Sequence, residues 1–407
     1  MTEKLYRENP YLRELTAKVV KKQYKKGAFH IVLNRTIFYP HLSGGQPKDI
    51  GTMNDVKVID VYEKDNDIVH VVEDDIIGDE VILNIDWNTR FTHMQQHTGQ
   101  HILSTVFSKL YNGKTIGFHL GSEFVYIDID LPELKDSDIK KIEDFANKVV
   151  FSNFEVKAYY IDKNDVSNLP LRKQPTVDSN IRIVEINDID YTPCGGTHMR
   201  NTGEVGLIKI RKWEKYKGNI RVEFICGNRA LEDFRWKNSQ INEISNLLSV
   251  KDMDSLEGVK RIYDENKDLM KKVKDLKVKL VDYEIKDLIS NSWDYNGINI
   301  VSTIFTDTSF KDVRYMATQI IENYNSIVSM GVVEDNKCQI VLGRSNDIEL
   351  NIREIFNDVI GIINGQGGGN PKMAQGGGSR VEKLERCIET SLKLIESELY
   401  NNLKPNV

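Results

Sequence analysis

Cysteine is scarce in this chain, which has four cysteines in 407 residues. The four are too widely spread to form the closely spaced pattern of a disulfide framework, and they are Cys194, Cys226, Cys338 and Cys387. Unpaired thiols persist in a reducing compartment, where they are free to bind metal ions. The cysteine content therefore predicts a cytoplasmic protein and argues against the class of small disulfide-stabilised secreted proteins.

Long apolar segments are also missing. No run approaches the roughly 18 consecutive apolar residues that mark a membrane-spanning helix. The segment Met1–Lys4 lacks the apolar core of a secretory signal, so we expect neither membrane insertion nor export. Apolar residues make up 40% and charged residues 29%, which is typical of a folded globular protein. The length predicts two or three domains.

An excess of positive charge is absent as well, because 55 Lys and Arg residues stand against 61 Asp and Glu residues. The resulting formal net charge of −6 means that nucleic acid is not bound through bulk charge but only at local basic patches. Two such patches are visible, KVVKKQYKK at residues 18–26 and KKVKDLKVK at residues 271–279. Each is equally typical of a solvated hairpin or helix face.

In the first half of the chain, the spacing of apolar residues changes once, from the alternation typical of strands to the spacing typical of helices. Short alternating runs between residues 28 and 88, separated by turn residues, predict an antiparallel sheet or barrel, which we assign as a small β-barrel domain over residues 1–90. A helix capped by Thr89 or Thr92 follows, and then strands and a second helix. This mixture predicts an α+β domain over residues 91–228.

The second half begins with helix. Residues 229–292 carry apolar residues at heptad spacing, which predicts a helical, coiled-coil-like linker. Strands and helices alternate after it and predict an α/β, glycine-rich domain over residues 293–407. The predicted fold class is therefore an α+β multidomain protein.

Three histidines lie four residues apart in the segment HMQQHTGQHIL, at His93, His97 and His101. Residues four apart lie on the same face of a helix, so two imidazoles can converge on one ion. The spacing alone leaves both overlapping pairs open as metal ligands. It also leaves open an ordinary polar helix face.

A second candidate segment, YTPCGGTH, contains Cys194 and His198. The intervening Gly195 and Gly196 allow a tight turn, so a thiolate and an imidazole can approach one point. Nitrogen and sulfur ligands in a reduced protein favour Zn²⁺ in a tetrahedral site. The alternative is a buried free cysteine near a surface histidine.

These segments together resemble the editing and C-terminal domains of alanyl-tRNA synthetase and its free-standing relatives, the alanyl-tRNA editing proteins. The glycine-rich motif at 367–378 is similar to the one that ends the C-terminal domain, whose fold is shared with DHH-type phosphoesterases. The resemblance rests on motifs in the same order along nearly the whole chain: FYPHLSGGQPKDIG at 38–51, HTGQHIL at 97–103, CGGTH at 194–198, NIRVEFICGNRAL at 219–231 and GGGNPKMAQGGG at 367–378. It implies a Zn²⁺ site formed by His97, His101, Cys194 and His198. His93 falls outside the motif and becomes a residue of the helix start.

The resemblance implies a trans-editing hydrolase that cleaves the ester joining serine or glycine to alanine tRNA in a metal-dependent reaction. Nothing resembles the synthetase's ATP-dependent domain, and the phosphoesterase Asp-His-His signature is absent. Zinc would either activate water or organise the pocket, and we expect three firm ligands and one exchangeable position. The alternatives are a tRNA-binding protein with a structural zinc and no catalysis, and a zinc-dependent hydrolase of another ester.

Further site residues follow from the same resemblance and from their positions. Gln100, between the metal-binding histidines, is a candidate catalytic residue, with a solvent-facing glutamine as the alternative. The candidates for substrate contact are Gly44, Gly45, Gln46, His119 and Thr197. Gln46 is otherwise an ordinary turn residue, and Thr197 otherwise caps its turn. His119 stands where the family often has glutamine, and its alternative is an ordinary histidine at a strand end.

The resemblance implies that the glycine-rich tail binds tRNA away from the acceptor end, and glycine lets a backbone approach another backbone or a phosphate closely. Its candidate residues are Gly367, Gly368, Gly369, Lys372, Gly376, Gly377 and Gly378. The resemblance also implies a homodimer through the C-terminal domain, with intrachain packing as the alternative for its last helix. The expected partner is mischarged alanine tRNA, with no DNA and no membrane.

Overall fold

The computed structural model describes residues 1–41, 45–121, 124–334 and 336–402. The chain divides into two compact units, Met1–Asp252 and Met253–Val407. Each unit contains both helices and strands, so the predicted mixed α+β, multidomain class is confirmed. Within the described ranges, no helix combines the length and the apolar character needed to span a bilayer.

The first unit is built from strands β1–β15 and helices α1–α3. Their bounds are β1 (Glu3–Lys4), β2 (Glu14–Lys25), β3 (Ala28–Leu33), β4 (Arg35–Thr36), β5 (Gly51–Met53), β6 (Val56–Lys64), β7 (Asp67–Val72), β8 (Glu80–Ile85), α1 (Trp87–Tyr111), β9 (Lys114–Leu120), β10 (Val125–Asp130), α2 (Asp136–Phe151), β11 (Val156–Ile161), β12 (Ile181–Ile186), β13 (Asp190–Pro193), β14 (Ile208–Tyr216), β15 (Asn219–Cys226) and α3 (Gly227–Leu248).

Six of these strands close into a barrel in the order β2-β3-β7-β6-β5-β8. All neighbours pair antiparallel, including β2 with β8, which completes the circuit. Alternating side chains of these strands point inward and form one apolar cluster that includes Ile31, Val61, Val72 and Leu83. The short strands β1 and β4 pair in parallel beside the barrel.

Helix α1 begins directly after the last barrel strand. Its N-cap is Asp86, whose side chain accepts a hydrogen bond from the backbone N–H of Thr89. The predicted N-caps, Thr89 and Thr92, are therefore wrong, since an aspartate three residues earlier satisfies the first free backbone donors. The predicted domain boundary after residue 90 falls inside this helix, and the four-part division stays a prediction.

Two further sheets surround α1. One has four strands in the order β14-β15-β10-β9, and the other has three in the order β11-β12-β13. Residues of α1, α2 and the four-stranded sheet form the largest apolar core of the first unit, with Leu103, Phe107, Ile127 and Phe224 fully buried. Because α1 is covered on nearly all sides, many of its polar residues are buried too, and most of them are hydrogen-bonded there, with His93 Nδ1 and Thr105 Oγ1 as exceptions.

The second unit contains α4–α7 and β16–β21. Their bounds are α4 (Ser255–Ser290), β16 (Trp293–Tyr295), β17 (Ile298–Phe305), α5 (Phe310–Asn323), β18 (Ser326–Glu334), β19 (Lys337–Arg344), α6 (Ile352–Ile360), β20 (Gln366–Gly369), β21 (Met373–Gly378) and α7 (Leu384–Asn402). The strands form one sheet in the order β16-β17-β18-β19-β21-β20, in which only the β17–β18 pair is parallel.

Alternate residues of this sheet face two separate apolar clusters. Val328 and Val341 belong to the cluster formed with α5, whereas Ile327 and Ile340 belong to the cluster formed with α6 and α7. The predicted linker consists of two long helices, α3 in the first unit and α4 in the second. Coiled-coil pairing of these helices stays a prediction.

Candidate functional site

The four residues predicted to bind a metal converge in the first unit. His97 and His101 lie one turn apart on α1, and Cys194 and His198 lie on the segment that follows β13. Their ligand atoms are all within 4.8 Å of one another. The Cys194 Sγ atom is 3.4 Å from His97 Nε2 and 3.3 Å from His198 Nε2. The tertiary fold therefore brings both sequence segments to one point.

Two of the imidazoles are oriented through their Nδ1 atoms. His97 Nδ1 is 2.8 Å from Gln46 Oε1, and His101 Nδ1 is 3.2 Å from Asp190 Oδ2. An amide oxygen and a carboxylate only accept hydrogen bonds, so each Nδ1 carries the proton and donates it. The lone pair of each Nε2 then faces the shared point, which is the arrangement of metal-binding histidines in proteins.

Asp190 is itself held in place by neighbouring donors. Its carboxylate accepts hydrogen bonds from Arg172 Nε at 2.7 Å and from Thr192 Oγ1 at 2.9 Å. Burial by itself would raise the pKa of Asp190, but the hydrogen bond from His101 and the charge of Arg172 hold it below its usual range. The carboxylate is therefore ionised and raises the pKa of His101, against the opposing effect of burial.

The third imidazole is anchored within the same core. His198 Nδ1 lies 3.2 Å from Thr98 Oγ1, which also accepts a hydrogen bond from the backbone N–H of Met199. Burial, together with repulsion from His97, lowers the pKa of His198 to about 3. This imidazole is therefore neutral at physiological pH, as a metal ligand must be.

The surroundings of Cys194 favour the ionised form of its thiol by lowering its pKa. Burial by itself would raise its pKa, but the imidazoles of His97, His198 and His101 outweigh burial and hold the pKa well below its usual range. A thiolate is the form of cysteine that binds metals. The site therefore presents one thiolate sulfur and three imidazole nitrogens.

Gln46 and Thr197 lie directly behind His97. Gln46 Nε2 donates to Thr197 Oγ1 at 2.8 Å, and Gln46 Oε1 accepts from the Thr197 backbone N–H at 3.0 Å. Gly196 makes this packing possible, because a Cβ atom there would lie 2.1 Å from His97 Cε1 and 2.9 Å from Gln46 Oε1. In this arrangement both residues position a metal ligand, and their predicted contact with substrate stays a prediction.

The donor set fits zinc. In a tetrahedral site with Zn–N near 2.0–2.1 Å and Zn–S near 2.3 Å, ligand atoms lie roughly 3.3–3.7 Å apart. The two sulfur–nitrogen distances of 3.4 and 3.3 Å agree with this spacing. Among the described residues, these four form the single group of His, Cys, Asp and Glu side chains close enough to hold a metal ion.

A cavity of about 240 Å³ opens beside the four residues, and His97, His101 and Cys194 line it. Gln100 lies in its wall as well, buried rather than facing solvent, and its Nε2 donates to Ser104 Oγ at 2.7 Å. Thr115 Oγ1 donates to the same oxygen at 2.7 Å.

Gly45 forms another part of the wall of this cavity. Its backbone has a φ of +88°, and a Cβ atom there would lie 2.7 Å from the Phe118 ring. Both the left-handed conformation and the close approach of the ring require glycine at this position.

Other predicted residues lie elsewhere. Gly44 falls outside the described residues. His119 is exposed and stacks on Tyr126 at a centroid distance of 5.1 Å, and it is not among the cavity-lining residues, whereas its neighbour Phe118 stacks on His97. His93 is not at the start of α1 but buried within it, where burial lowers its pKa to about 4.

The predicted tRNA-binding glycines belong to the second unit. They form a β-hairpin in which Gly367 pairs with Gly376 and Gly368 pairs with Gln375. Strand β20 is exposed along its whole length and forms one edge of the six-stranded sheet. Lys372 lies in the turn, where its backbone N–H donates to Asn370 Oδ1. Binding of tRNA at this hairpin stays a prediction.

Sequence reasoning missed three residues of the site: Asp190, Arg172 and Thr98. Each holds a metal-type residue through tertiary contacts, and Arg172 also lines the cavity. Thr98 lies inside the histidine motif and could have been examined as a partner. Asp190 and Arg172 have no distinguishing signal, because the chain contains many aspartates and arginines outside any motif.

Comparison with known families gives two matches. Residues 181–223 match the threonyl and alanyl tRNA synthetase second additional domain, and residues 297–397 match the DHHA1 domain. The first covers β12–β14 and part of β15, including Cys194 and His198. The second covers most of the second unit.

Comparison with individual proteins gives similarity along nearly the whole chain. It is 33% identical to the alanyl-tRNA editing protein AlaX-L of Pyrococcus horikoshii, over 98% of this chain and 100% of that one. It is 30% identical to the alanine–tRNA ligase of Pyrococcus abyssi, over 97% of this chain but only 44% of the ligase. The C-Ala domain of Aquifex aeolicus alanyl-tRNA synthetase is 22% identical over 24% of this chain and 92% of that domain, with a TM-score of 0.23.

Proposed function

We propose that this chain, which belongs to the family of alanyl-tRNA editing proteins, hydrolyses the ester bond between a wrong amino acid, serine or glycine, and alanine tRNA. The observation that carries the proposal is the convergence of three imidazoles and one low-pKa thiol at the wall of an open cavity. Such a hydrolytic step is useful because a binding pocket separates small side chains by only about 1–3 kcal/mol.

The proposed cofactor is Zn²⁺ bound by His97, His101, Cys194 and His198. When bound, it supplies Lewis acidity toward the ester carbonyl. The protein's own part is to keep the ligands fixed, and Gln46, Asp190 and Thr98 do so through the three Nδ1 atoms. We retain the expectation of three firm ligands and one exchangeable position.

Selection of serine over alanine is supported by the polar wall of the cavity. The Gln100 amide is fixed by its hydrogen bond to Ser104, next to His97 and His101. Serine carries a hydroxyl that can pair with the hydrogen-bonding capacity of this amide that Ser104 does not use, whereas the methyl group of alanine offers no such partner. One additional hydrogen bond contributes about 0.5–1.5 kcal/mol, which corresponds to roughly 2- to 13-fold in rate.

The test compares hydrolysis of serine-charged and alanine-charged alanine tRNA by the purified protein. We expect faster hydrolysis of the serine ester, about one zinc per chain, and loss of both activity and zinc in Cys194→Ala. Cys387→Ala is the matched control, since that cysteine is buried in the core of the second unit. Equal rates on both charged tRNAs would refute proofreading, and an active Cys194→Ala protein would refute the metal site.

A second function is favoured by one observation, the presence of four protein ligands. Structural zinc sites are closed by four protein ligands, whereas catalytic sites usually keep one position open. A protein that contains zinc and binds tRNA but hydrolyses neither charged form would be a tRNA-binding protein with a structural zinc. A zinc-dependent protein that cleaves other esters equally fast would be a hydrolase of broader scope.

We further propose that the second unit binds alanine tRNA through the glycine hairpin and forms a homodimer. The exposed backbone of β20 supports the first part, because glycine leaves peptide N–H groups accessible to phosphate oxygens. Sedimentation of the full chain tests the second part, and a monomer at all concentrations would refute it.

A further inference from the structure

The four-stranded sheet of the first unit has one face that the metal site does not use. Alternation along β10 directs Val125, Ile127 and Ile129 into the core around α1, so Tyr126 and Asp128 lie on the opposite face. On that face Tyr126 pairs with His119 of β9 and with Glu223 of β15. The face is only partly covered, since His119 is exposed and Tyr126 is partly exposed.

Aromatic and arginine side chains are concentrated on this face. Arg221 lies between two tyrosines, with its Cζ atom 3.8 Å from the centroid of Tyr126 and 3.7 Å from that of Tyr216. Asp128 accepts two hydrogen bonds from Arg221, both at 2.8 Å, and fixes the guanidinium plane between the rings. His119 stacks on the far side of the group, against Tyr126.

A groove of about 230 Å³ runs beside this group. Phe124, Tyr126 and Trp213 line it, together with the stem of Arg221. Phe124 is 52% exposed, which leaves a ring face free. We call Phe124, Tyr126, Tyr216 and Arg221 the aromatic platform, whereas Trp213 closes the side of the groove from the opposite, core-packed face.

The hairpin that carries half of the platform is strongly basic. Residues 208–226 contain six Lys and Arg residues and two Glu residues, an excess of four positive charges in a chain whose net charge is −6. The carboxylates are already paired, Glu214 with Lys212 and Glu223 with Arg211. Lys217, in the turn beside Tyr216, has no ion-pair partner among the described residues, so it is available to phosphates near the rings of the platform.

We propose that the aromatic platform binds unpaired nucleotides of an RNA strand, with bases stacked on the exposed rings and phosphates held by the basic hairpin. Sheets that carry aromatic residues on neighbouring strands bind single-stranded RNA by stacking, and flanking lysines supply the salt-dependent part of the affinity. The occupant is RNA rather than an apolar peptide because the apolar groove lies within a local excess of positive charge. This inference rests on the proposed function, since it deepens how that site meets tRNA.

The platform is close to the cavity of the metal site. Strand β9 is the edge strand of the sheet, and its residues Thr115 to Phe118 line that cavity. The platform begins on β10, the adjacent strand, which is about 5 Å away. An RNA strand whose 3′ end enters the cavity can therefore place its preceding unpaired nucleotides on the platform.

The test is binding of a fluorescent, uncharged single-stranded RNA ending in CCA to the full chain, measured by anisotropy. We expect Phe124→Ala to weaken binding on the order of tenfold, because stacking on one aromatic ring is lost. Phe124→Trp keeps an aromatic ring at this position and should bind the RNA about as tightly as the unmodified chain. The matched control is Phe151→Ala on α2, another exposed phenylalanine in the same unit (74% exposed), which should bind as the unmodified chain does.

The charge component is measured separately. Lys217→Glu should reduce the slope of log affinity against log salt by about 1. Weakening by Phe124→Ala that Phe124→Trp reverses supports the platform. Equal affinity of Phe124→Ala, Phe151→Ala and the unmodified chain would overturn it and leave the groove to a protein contact.

This measurement separates the two proposals. Because the RNA carries no ester, a chain that fails to hydrolyse charged tRNA but requires Phe124 for RNA binding would keep the platform and lose the editing function. A chain that edits normally while Phe124→Ala binds RNA unchanged would keep the editing function and lose the platform.

Discussion

Replacement of Gly196 by alanine tests the geometry of the metal site with a single methyl group. The added Cβ atom would lie 2.1 Å from His97 Cε1, whereas ordinary contact begins at 3.4 Å. His97 must therefore move by 3.4 − 2.1, or about 1.3 Å. It cannot retreat freely, because Gln46 and the Phe118 ring lie against it.

A displacement of this size exceeds what a zinc site tolerates, since ligand distances lie within about 0.2 Å of their ideal values. We expect zinc affinity to fall by at least about 10- to 100-fold, as when a residue that orients a ligand is lost. Deacylation should fall about 10²-fold, the loss typical of a catalytic group misplaced by about 1 Å. Chelator competition and single-turnover deacylation measure the two effects.

The adjacent glycine supplies the control. A Cβ atom at Gly195 would have Arg7 Nη2 as its nearest neighbour, at 3.9 Å, which is an ordinary contact. Gly195→Ala should therefore bind zinc and hydrolyse substrate as the unmodified chain does. Circular dichroism of both variants checks that each is folded. If Gly196→Ala held zinc as tightly as Gly195→Ala, the proposed close packing of His97 would be refuted.

Three further predictions concern other parts of the chain. Asp190→Asn removes the carboxylate that fixes His101, so chelator competition should show roughly 10- to 100-fold weaker zinc binding; unchanged affinity would contradict this role. Burial lowers the pKa of His70 from 6.5 in the unfolded chain to about 4 in the folded chain. As the pH falls from 6.5 to 4, His70 is therefore protonated in the unfolded state but not in the folded state, and the folded state loses stability. The loss is about 3 kcal/mol, and urea denaturation of His70→Gln should show a shallower decline; an equally steep decline would argue against it. Deleting residues 253–407 should preserve zinc binding but weaken tRNA binding and flatten its salt dependence; unaltered binding would place the tRNA site in the first unit.

Local patterns in the sequence predicted the type of several elements. The alternation between residues 28 and 88 corresponds to strands β3 and β5–β8, and the three-four spacing after Ile102 corresponds to the buried face of α1. The type of each element follows from the spacing of its apolar residues, and this spacing can be read from residues that are close together in the sequence. The sequence predicts the start of α1 too late because capping depends on one side-chain hydrogen bond, and several polar residues near Asp86 are able to make it.

The family and the four metal-type residues could be predicted before the fold was known, because the resemblance rests on motifs that are each contiguous in the chain. Residue spacing without that resemblance left two histidine pairs open. The meeting of α1 with the segment after β13, the orientation of the rings by Asp190 and Gln46, and the stacking of His119 on Tyr126 are visible only in the folded chain. These contacts join residues far apart in the sequence, and their approach depends on how the sheets and helices pack as a whole.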